Sequence, residues 1–516
     1  MRKVKSSGTK PELLLRDALR ARGIVIDDNL ASLPGKPDIV IPEDKVAIFV
    51  DGDFWHGNQW KIRGLSSIED QFTNPDNKEY WIKKINRNVI RDSRVSYDLM
   101  ESGWVVIRLW ESQIEDNLDS CVELILEKAR TRLLDDKIKL IAEKSFSEFF
   151  AGIGLMRLAL EKRGWNCKFA NDIDPDKQKM YEDQFGQEDF FSPEDIHKLD
   201  VDSVPSTTLA TASFPCNDLS LAGARQGLNE GKQSSAFWGF IRIIQEMGLR
   251  KPPLILLENV PGFLSSKGGE DFYQALKTLN ELGYRVDSFL LDAANFVPQS
   301  RKRLFVVGID KAFSTSANFT LDTSDVRSAP LRKFIATHQD IDWAIRNLPS
   351  SPKQNKYLAS IIENVSEDSH EWWSEERAAY LLGQMSEKHK IKMQEMISGS
   401  EITYATAFRR VRNGKTFAEI RNDGIAGCLR TPRGGSGRQI LIQAGQGNYR
   451  VRLLNPRECA KLMGADDFTI TVNLNQALFG FGDAVCVPVI EWIMEHYFNP
   501  LVNEILHVNL SETGDA

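Results

Sequence analysis

The stretch FSEFFAGIG, Phe146 to Gly154, decides the fold. An apolar run enters two glycines spaced one residue apart, and a segment with helical periodicity follows as far as Arg163. A strand that turns through glycines into a helix lets backbone approach a ligand closely. One such turn is also an ordinary strand-to-helix connection, so its surroundings must decide. Outward from it the alternation continues through NCKFA, a helix from Asp174, then TTLATASF, PLILLE and RLFVVG. Buried apolar strands separated by helices predict a parallel, doubly wound α/β sheet. About twenty residues beyond the glycines comes Asn171-Asp172-Ile173-Asp174, where a carboxylate can hydrogen-bond ribose hydroxyls.

Upstream lies a second, smaller α/β block. It reads as a helix over 10–22, strands in PDIVI and VAIFV, a long polar helix over 78–101 and a strand in WVVIRLW from Trp104. Residues 113–143 read as a connecting helix. Downstream, 311–450 turns polar, with glycines and arginines, before RECAKLMG and VPVIEWIMEHYF return to the core as helices. Five segments result, at 1–112, 113–143, 144–310, 311–450 and 451–516.

Length and composition agree with several cores in one chain, since 516 residues exceed an ordinary domain. Six scattered cysteines, without a CxxC pair, point to reduced thiols rather than a cysteine-rich zinc site. There is no uninterrupted run of eighteen apolar residues, and charged Glu12, Arg16 and Asp17 interrupt the basic start before a signal peptide can form. The expectation is a cytoplasmic protein with no membrane partner. Net charge is −7, but residues 1–25 carry seven Lys/Arg against two acids, and residues 401–440 eight against three. Basic faces on an acidic body suit nucleic acid, and equally an ordinary solvated surface.

The motifs break that tie. Phe214-Pro215-Cys216 ends one strand, Glu258-Asn259-Val260 ends another, and Gln299-Ser-Arg301-Lys-Arg303 precedes a third. Together with FAGIG, RECAKLMG from Arg457 and GDAV from Gly482, these resemble the successive blocks of the DNA cytosine-5 methyltransferase family, in order, over about residues 145–500. The resemblance implies a Rossmann-like S-adenosylmethionine-dependent methyltransferase sheet, with a separate target-recognition region at 311–450 that reads double-stranded DNA. RRVRNGK (409–415) and LRTPRGGSGRQ (429–439) suit such reading, because arginine can bind guanine edges bidentately.

Cytosine carbon 5 is a poor nucleophile until a thiolate adds at carbon 6, and Cys216 is the candidate thiolate. The addition loads the ring with electrons, so N3 must be protonated or held, and Glu258 is the group for that. The resemblance gives Arg303 the base's O2. Arg301 is left between holding the thiol and base geometry and an ordinary phosphate contact or surface ion pair. It also implies cofactor contacts from Phe150, Gly152, Gly154, Asp172, Ile173 and Asp195, and a target base flipped out of the duplex. Three positions depart from the family's common residues, namely Glu148, Asn217 and Asp483.

The first block resembles the very-short-patch-repair (Vsr) endonucleases in TKPELLLRDAL, LPGKPDIVIP, VAIFVDGDFWHG, NRNVIRDSR and WVVIRLWES, over about residues 1–115. That likeness implies a small nuclease domain of the PD-(D/E)xK class. Asp38 would hold Mg²⁺, His56 would activate water, and Asp92 would support it. Glu12 matches a family acid, yet it also completes a capping box with Thr9. Phe54 and Trp55 suit either wedging between bases or packing in a core. Relatives carry a structural zinc where this chain has Asp53, Asn58, Trp60 and Ser112, so no zinc is expected. Asp51 stands where they carry histidine.

A fusion of this kind fits T·G mismatch repair beside the enzyme that makes the deaminating methylcytosine. It also fits a self-contained restriction–modification or phage-defence enzyme, or a nuclease fold kept only as a DNA clamp. Repair is the preferred expectation.

Overall fold

The strand Ser145–Phe149 that leads into FAGIG lies inside a seven-stranded sheet. In chain order the protein's strands are β1 (Ile39–Ile41), β2 (Val46–Asp51), β3 (Val105–Trp110), β4 (Ser145–Phe149), β5 (Asn166–Asn171), β6 (Phe191–Ser192) and β7 (Leu209–Ala212). They continue with β8 (Leu254–Asn259), β9 (Tyr284–Asp292), β10 (Lys302–Asp310), β11 (Thr403–Arg412), β12 (Lys415–Arg421), β13 (Ile440–Gly445) and β14 (Asn448–Leu453). This computed structural model describes residues 8–27, 32–42, 44–215, 236–313, 325–353, 356–412, 414–431 and 438–512. The chain divides into two units, Met1–Lys137 and Ile138–Ala516.

In the larger unit the sheet order is β6-β5-β4-β7-β8-β10-β9. Strands β6, β5, β4, β7 and β8 are mutually parallel, as the sequence predicts. The RLFVVG strand, β10, is the exception and runs antiparallel to both β8 and β9. Only residues 293–301 join β9 to β10, too few for the crossover that a parallel pair requires. Strand β9 has no counterpart in the sequence reading, because Asp287 and Ser288 interrupt its apolar run. Asp287 is nonetheless fully buried. Arg327 Nη2 donates to both its oxygens at 2.9 and 3.0 Å, and Tyr497 Oη donates at 3.1 Å. A carboxylate so paired can be buried without breaking the strand.

Residues expected as one recognition region divide in two. Leu331, Phe334, Ile335, Trp343 and Ile345 pack into the core of the large sheet. The antiparallel sheet β12-β11-β13-β14 instead packs on the helices Glu375–Gly383 and Glu387–Ser398, with a core that includes Leu381, Met393, Ala405 and Ile442. The chain then returns through helices Pro456–Leu462, Leu474–Asp483, Val487–Ile493 and Asn499–Glu512. One eighteen-residue window within Leu474–Val508 is apolar enough to cross a membrane by composition, but 72% of it is buried inside the unit.

In the smaller unit β1 pairs antiparallel with β2, and β2 parallel with β3 across the helix Pro75–Glu101. Pro75 opens that helix, and the Asn74 side chain accepts from the Asp76 amide. Its buried residues, Ile85, Asp92 and Leu99, recur every seven positions and make a single seam. Leu15, Leu19, Ile48, Ile107 and Leu109 form the main core. Of residues 113–143, expected as one connecting helix, Leu118–Ala142 form a helix after a break at Asn117, and Cys121, Val122, Ile125 and Leu126 on it belong to that same core. Their apolar face is needed to cover the sheet, so the first part of this helix completes the domain.

Candidate active sites

The FAGIG turn places three residues at positive φ, Phe150 (58°), Gly152 (58°) and Gly154 (80°). For Phe150 the left-handed conformation costs about 1–2 kcal/mol, a strain typical of ligand-binding turns. The two glycines do different work. A side chain on Gly154 would collide with Tyr181 and Phe185 at 2.4–2.9 Å, so its smallness serves helix packing. A Cβ on Gly152 would meet nothing nearer than 4.0 Å, which leaves open space above the backbone.

Asp172 closes the other side of this turn. Its Oδ2 accepts from Gly152 N at 2.8 Å and its Oδ1 from Asp174 N at 2.9 Å, while burial raises its pKa against the pull of Lys177. Next to it Ile173 is 64% exposed, a large apolar side chain facing solvent. Asn171 Nδ2 donates to the carbonyls of Ser192 and Glu194, drawing the segment that carries Asp195 to the end of β5. Asp195 accepts from His197 N at 3.0 Å. Glu148, one residue before the strand's end, is buried, and burial pushes its carboxyl up to about 8 despite the opposing charge of Arg157. Open backbone, a held carboxylate and an exposed aliphatic side chain are a donor set that fits a nucleoside cofactor.

Glu258 ends β8 and Arg303 begins β10. Arg303 Nε stands 2.6 Å from Glu258 Oε1, an ion pair in which both side chains are largely buried. They line a small pocket with Phe305, Val485, Cys486 and Ile490. Asn259 Nδ2 donates to Phe214 O at 3.3 Å and anchors the chain that leads into Pro215. Cys216 and Asn217 lie outside the described residues.

Arg301 takes neither of the surface roles that the sequence left open. It is 3% exposed. Its Nη1 donates to Leu429 O at 2.9 Å and Gly482 O at 3.2 Å, and its Nη2 to Ala484 O at 2.6 Å. The guanidinium clamps two distant backbone segments behind the pocket. One of them, around Gly480–Cys486, also meets the glycine turn, since a Cβ on Gly480 would lie 2.8 Å from Ile153. The glycine turn and the Glu258–Arg303 pocket therefore share a wall.

Sequence reading gave Cys428 no role of its own. Its Sγ is 3.5 Å from Arg301 Nη1. Burial opposes ionisation of this thiol, but Arg301, Arg303 and Arg430 outweigh it and hold the pKa below the usual value. No local motif marks the residue. Of the arginines expected to read DNA, Arg412 pairs with Glu419 at 3.0 Å on the β11–β12 hairpin, and Arg409 lies against the Trp373 ring. Residues 432–437 of the second arginine-rich segment fall outside the described residues.

In the smaller unit His56 Nδ1 is 2.5 Å from Asp92 Oδ2, so the family pair meets as expected. Asp38 sits apart from it, before β1, and its Oδ2 accepts from Val50 N at 2.7 Å. Burial raises its carboxyl to about 6, and the charges of Glu12 and Asp51 push the same way. A half-buried carboxylate with two acidic neighbours suits a hard divalent ion, so the residues fit Mg²⁺. Glu12 accepts from Gly8 N at 2.7 Å and Thr9 Oγ1 at 2.8 Å, but the Thr9 side chain bonds no helix amide, so the expected capping box is not formed.

At the relatives' zinc positions the side chains bond one another. Asp53 Oδ1 accepts from Asn58 Nδ2 at 2.5 Å and Ser112 Oγ at 2.9 Å, and Oδ2 from Ser112 N at 3.1 Å. Phe54 and Trp55 are half-buried and meet Trp81 edge-on at 5.3 and 5.6 Å, with Lys84 Nζ 5.0 Å above the Trp55 ring.

Residues 144–499 match the family described as C-5 cytosine-specific DNA methylase, and residues 1–62 match DNA mismatch endonuclease Vsr. The chain is 29% identical over 353 residues to the type II methyltransferase M.DsaV of Dactylococcopsis salina, which covers 68% of this chain and 84% of that protein. It is 26% identical over 374 residues to M.HhaI of Haemophilus parahaemolyticus, 70% of this chain and 96% of the relative. A further stretch is 41% identical over 132 residues to the type II nicking enzyme V.NmeDIP of Neisseria meningitidis serogroup C, 26% of this chain and 84% of that enzyme.

Proposed function

This chain belongs to the C-5 cytosine-specific DNA methylase family, and we propose that it uses S-adenosylmethionine to methylate cytosines in specific double-stranded DNA sequences. The observation that carries the proposal is the Glu258–Arg303 pair, set in a pocket that shares a wall with the FAGIG turn. S-adenosylmethionine, when bound, supplies an electrophilic methyl group. The chain's residues do the rest. Phe150, Gly152 and Gly154 shape the cofactor's floor, Asp172 and Ile173 hold its nucleoside, and Asp195 reads its adenine. The Cys216 sulfur adds to carbon 6 of the flipped cytosine. Glu258 holds N3 and Arg303 holds O2, so that charge built up on the ring is met where it develops. Arg301 acts as a positioning residue through the backbone it clamps.

The smaller unit is proposed to nick DNA, with Mg²⁺ on Asp38, His56 activating water, and Asp92 orienting His56. Its target is proposed to be the T·G mismatch left when methylcytosine deaminates, because that lesion arises where the larger unit acts. The test is incubation with Mg²⁺ and matched, T·G-mismatched or unmodified duplexes. Mismatch-selective nicking is expected. Double-strand cutting of unmodified DNA would replace repair with restriction, and methylation without any cleavage would leave a DNA clamp. For the methyltransferase, Cys216→Ala is expected to abolish transfer to DNA while S-adenosylmethionine still binds. Substantial residual transfer would mean another nucleophile.

A further inference from the structure

Four ionisable side chains of the smaller unit close on one another. Arg108, on β3, donates from Nη2 to Asp51 Oδ1 at 2.6 Å and from Nε to Asp51 Oδ2 at 2.7 Å. The same Nη2 stands 3.5 Å from Asp92 Oδ1. From the other side His56 Nδ1 is 2.5 Å from Asp92 Oδ2 and 3.5 Å from Asp51 Oδ1. Arg91 also reaches Asp92, at 3.0 Å, but its side chain is 62% exposed against 23% for Arg108. Asp51 and Asp92 are only 5% and 9% exposed, and two buried carboxylates require a cation.

That cation has two possible forms. Asp51, His56 and Asp92 offer ligand atoms within 4.8 Å of one another, a spacing that a divalent ion could bridge. The guanidinium already provides the charge. It is planar and permanently ionised, its fork matches the two oxygens of Asp51, and the Phe49 ring backs it at 4.5 Å.

We propose that Arg108 is the resident cation of this cluster, taking the seat of a divalent ion between Asp51 and Asp92 and so confining metal binding to Asp38. The second half of this statement rests on the Mg²⁺ nuclease reading, and the first does not. Arg108 is then a positioning residue. It holds both acids against the Nδ1 side of His56 and leaves the far ring nitrogen for water.

The experiment titrates Mn²⁺ alone into the full chain, comparing the unaltered protein with Arg108→Met, Arg108→Lys and the double variant Arg108→Met/Asp51→Asn. Arg108→Met is expected to bind one more Mn²⁺ per chain and to gain thermal stability from it. Arg108→Lys, which keeps the charge, is expected to show no gain, and Asp51→Asn should cancel the gain of Arg108→Met. Equal stoichiometry in the unaltered protein and Arg108→Met would overturn the proposal, as would a gain that survives Asp51→Asn. If Arg108→Met does not fold, Arg108→Gln stands in its place under the same two outcomes. Asp38→Asn reports separately on the nuclease reading. Loss of one Mn²⁺ supports Asp38 as the metal seat, and no loss removes that seat while the Arg108 result stands.

Discussion

Arg303 Nε lies 2.6 Å from Glu258 Oε1, joining the start of β10 to the end of β8 across an antiparallel pair. The two strands bring a permanent cation and an acid to one pocket, where each can meet a different edge of the same ring. Glu258→Gln keeps the shape and removes the charge, and is expected to lower the methyl-transfer rate by about 10²–10⁴-fold. Cofactor binding should be unchanged. Single-turnover transfer to duplex DNA, beside equilibrium binding of S-adenosylmethionine, checks both.

The glycines of FAGIG should separate by phenotype. Gly154→Ala drives a methyl group into Tyr181 and Phe185 and is expected to destabilise the fold. Gly152→Ala meets open space and should lower melting temperature less, through its positive φ, while weakening cofactor binding about tenfold or more. Thermal melts with and without S-adenosylmethionine distinguish the two.

Asp38 ionises near pH 6 in the folded chain against an ordinary 3.8, so the unfolded state releases its proton first. Its contribution to stability is greatest below about pH 4, falls as pH rises to about 6, and is then level at a cost of about 3 kcal/mol. Asp38→Asn should therefore be more stable than the unaltered protein at pH 8 and no different at pH 4. Added Mg²⁺ should narrow the gap at pH 8. Melting curves across that range are the measurement, and an equal difference at both pH values would contradict it.

Cys428 should be the most reactive of the described thiols. Burial pushes Cys167 and Cys486 up to about 12, whereas the arginines around Cys428 lower it. In a Cys216→Ala background, iodoacetamide near neutral pH is expected to label Cys428 first, read by peptide mass spectrometry.

The Asp53–Asn58–Ser112 network has three hydrogen bonds, two of which tie the loop after β2 to Ser112, just past the end of β3. Asp53→Ala leaves buried donors unmet and should cost about 1–3 kcal/mol. With no Mg²⁺ added, the unaltered protein should melt at the same temperature with and without EDTA, as a structure stapled by side chains rather than by a structural metal would.

Much of the site was legible because its residues cluster at strand ends. FAGIG, the Asp172 segment and Glu258 all fall at the carboxyl ends of β4, β5 and β8, where parallel sheets bind ligands, so order along the chain was enough to bring them together. His56 and Asp92 met for a similar reason, since β2 and the seam of the long helix are adjacent elements. By itself, then, the sequence determined the two families joined in this chain and the strand ends at which the candidate residues gather.

Only the tertiary structure decided which partners those residues take. Arg301 and Ala484 are 183 positions apart, and Arg108 and Asp51 are 57 apart on neighbouring strands. Whether an arginine meets solvent, a carbonyl or a carboxylate depends on strand register and on how distant backbone packs around it. The buried Asp287 hid β9 for the same reason, because its partners Arg327 and Tyr497 come from other parts of the chain. Residue type states what a side chain can bond, and packing selects which bond it makes.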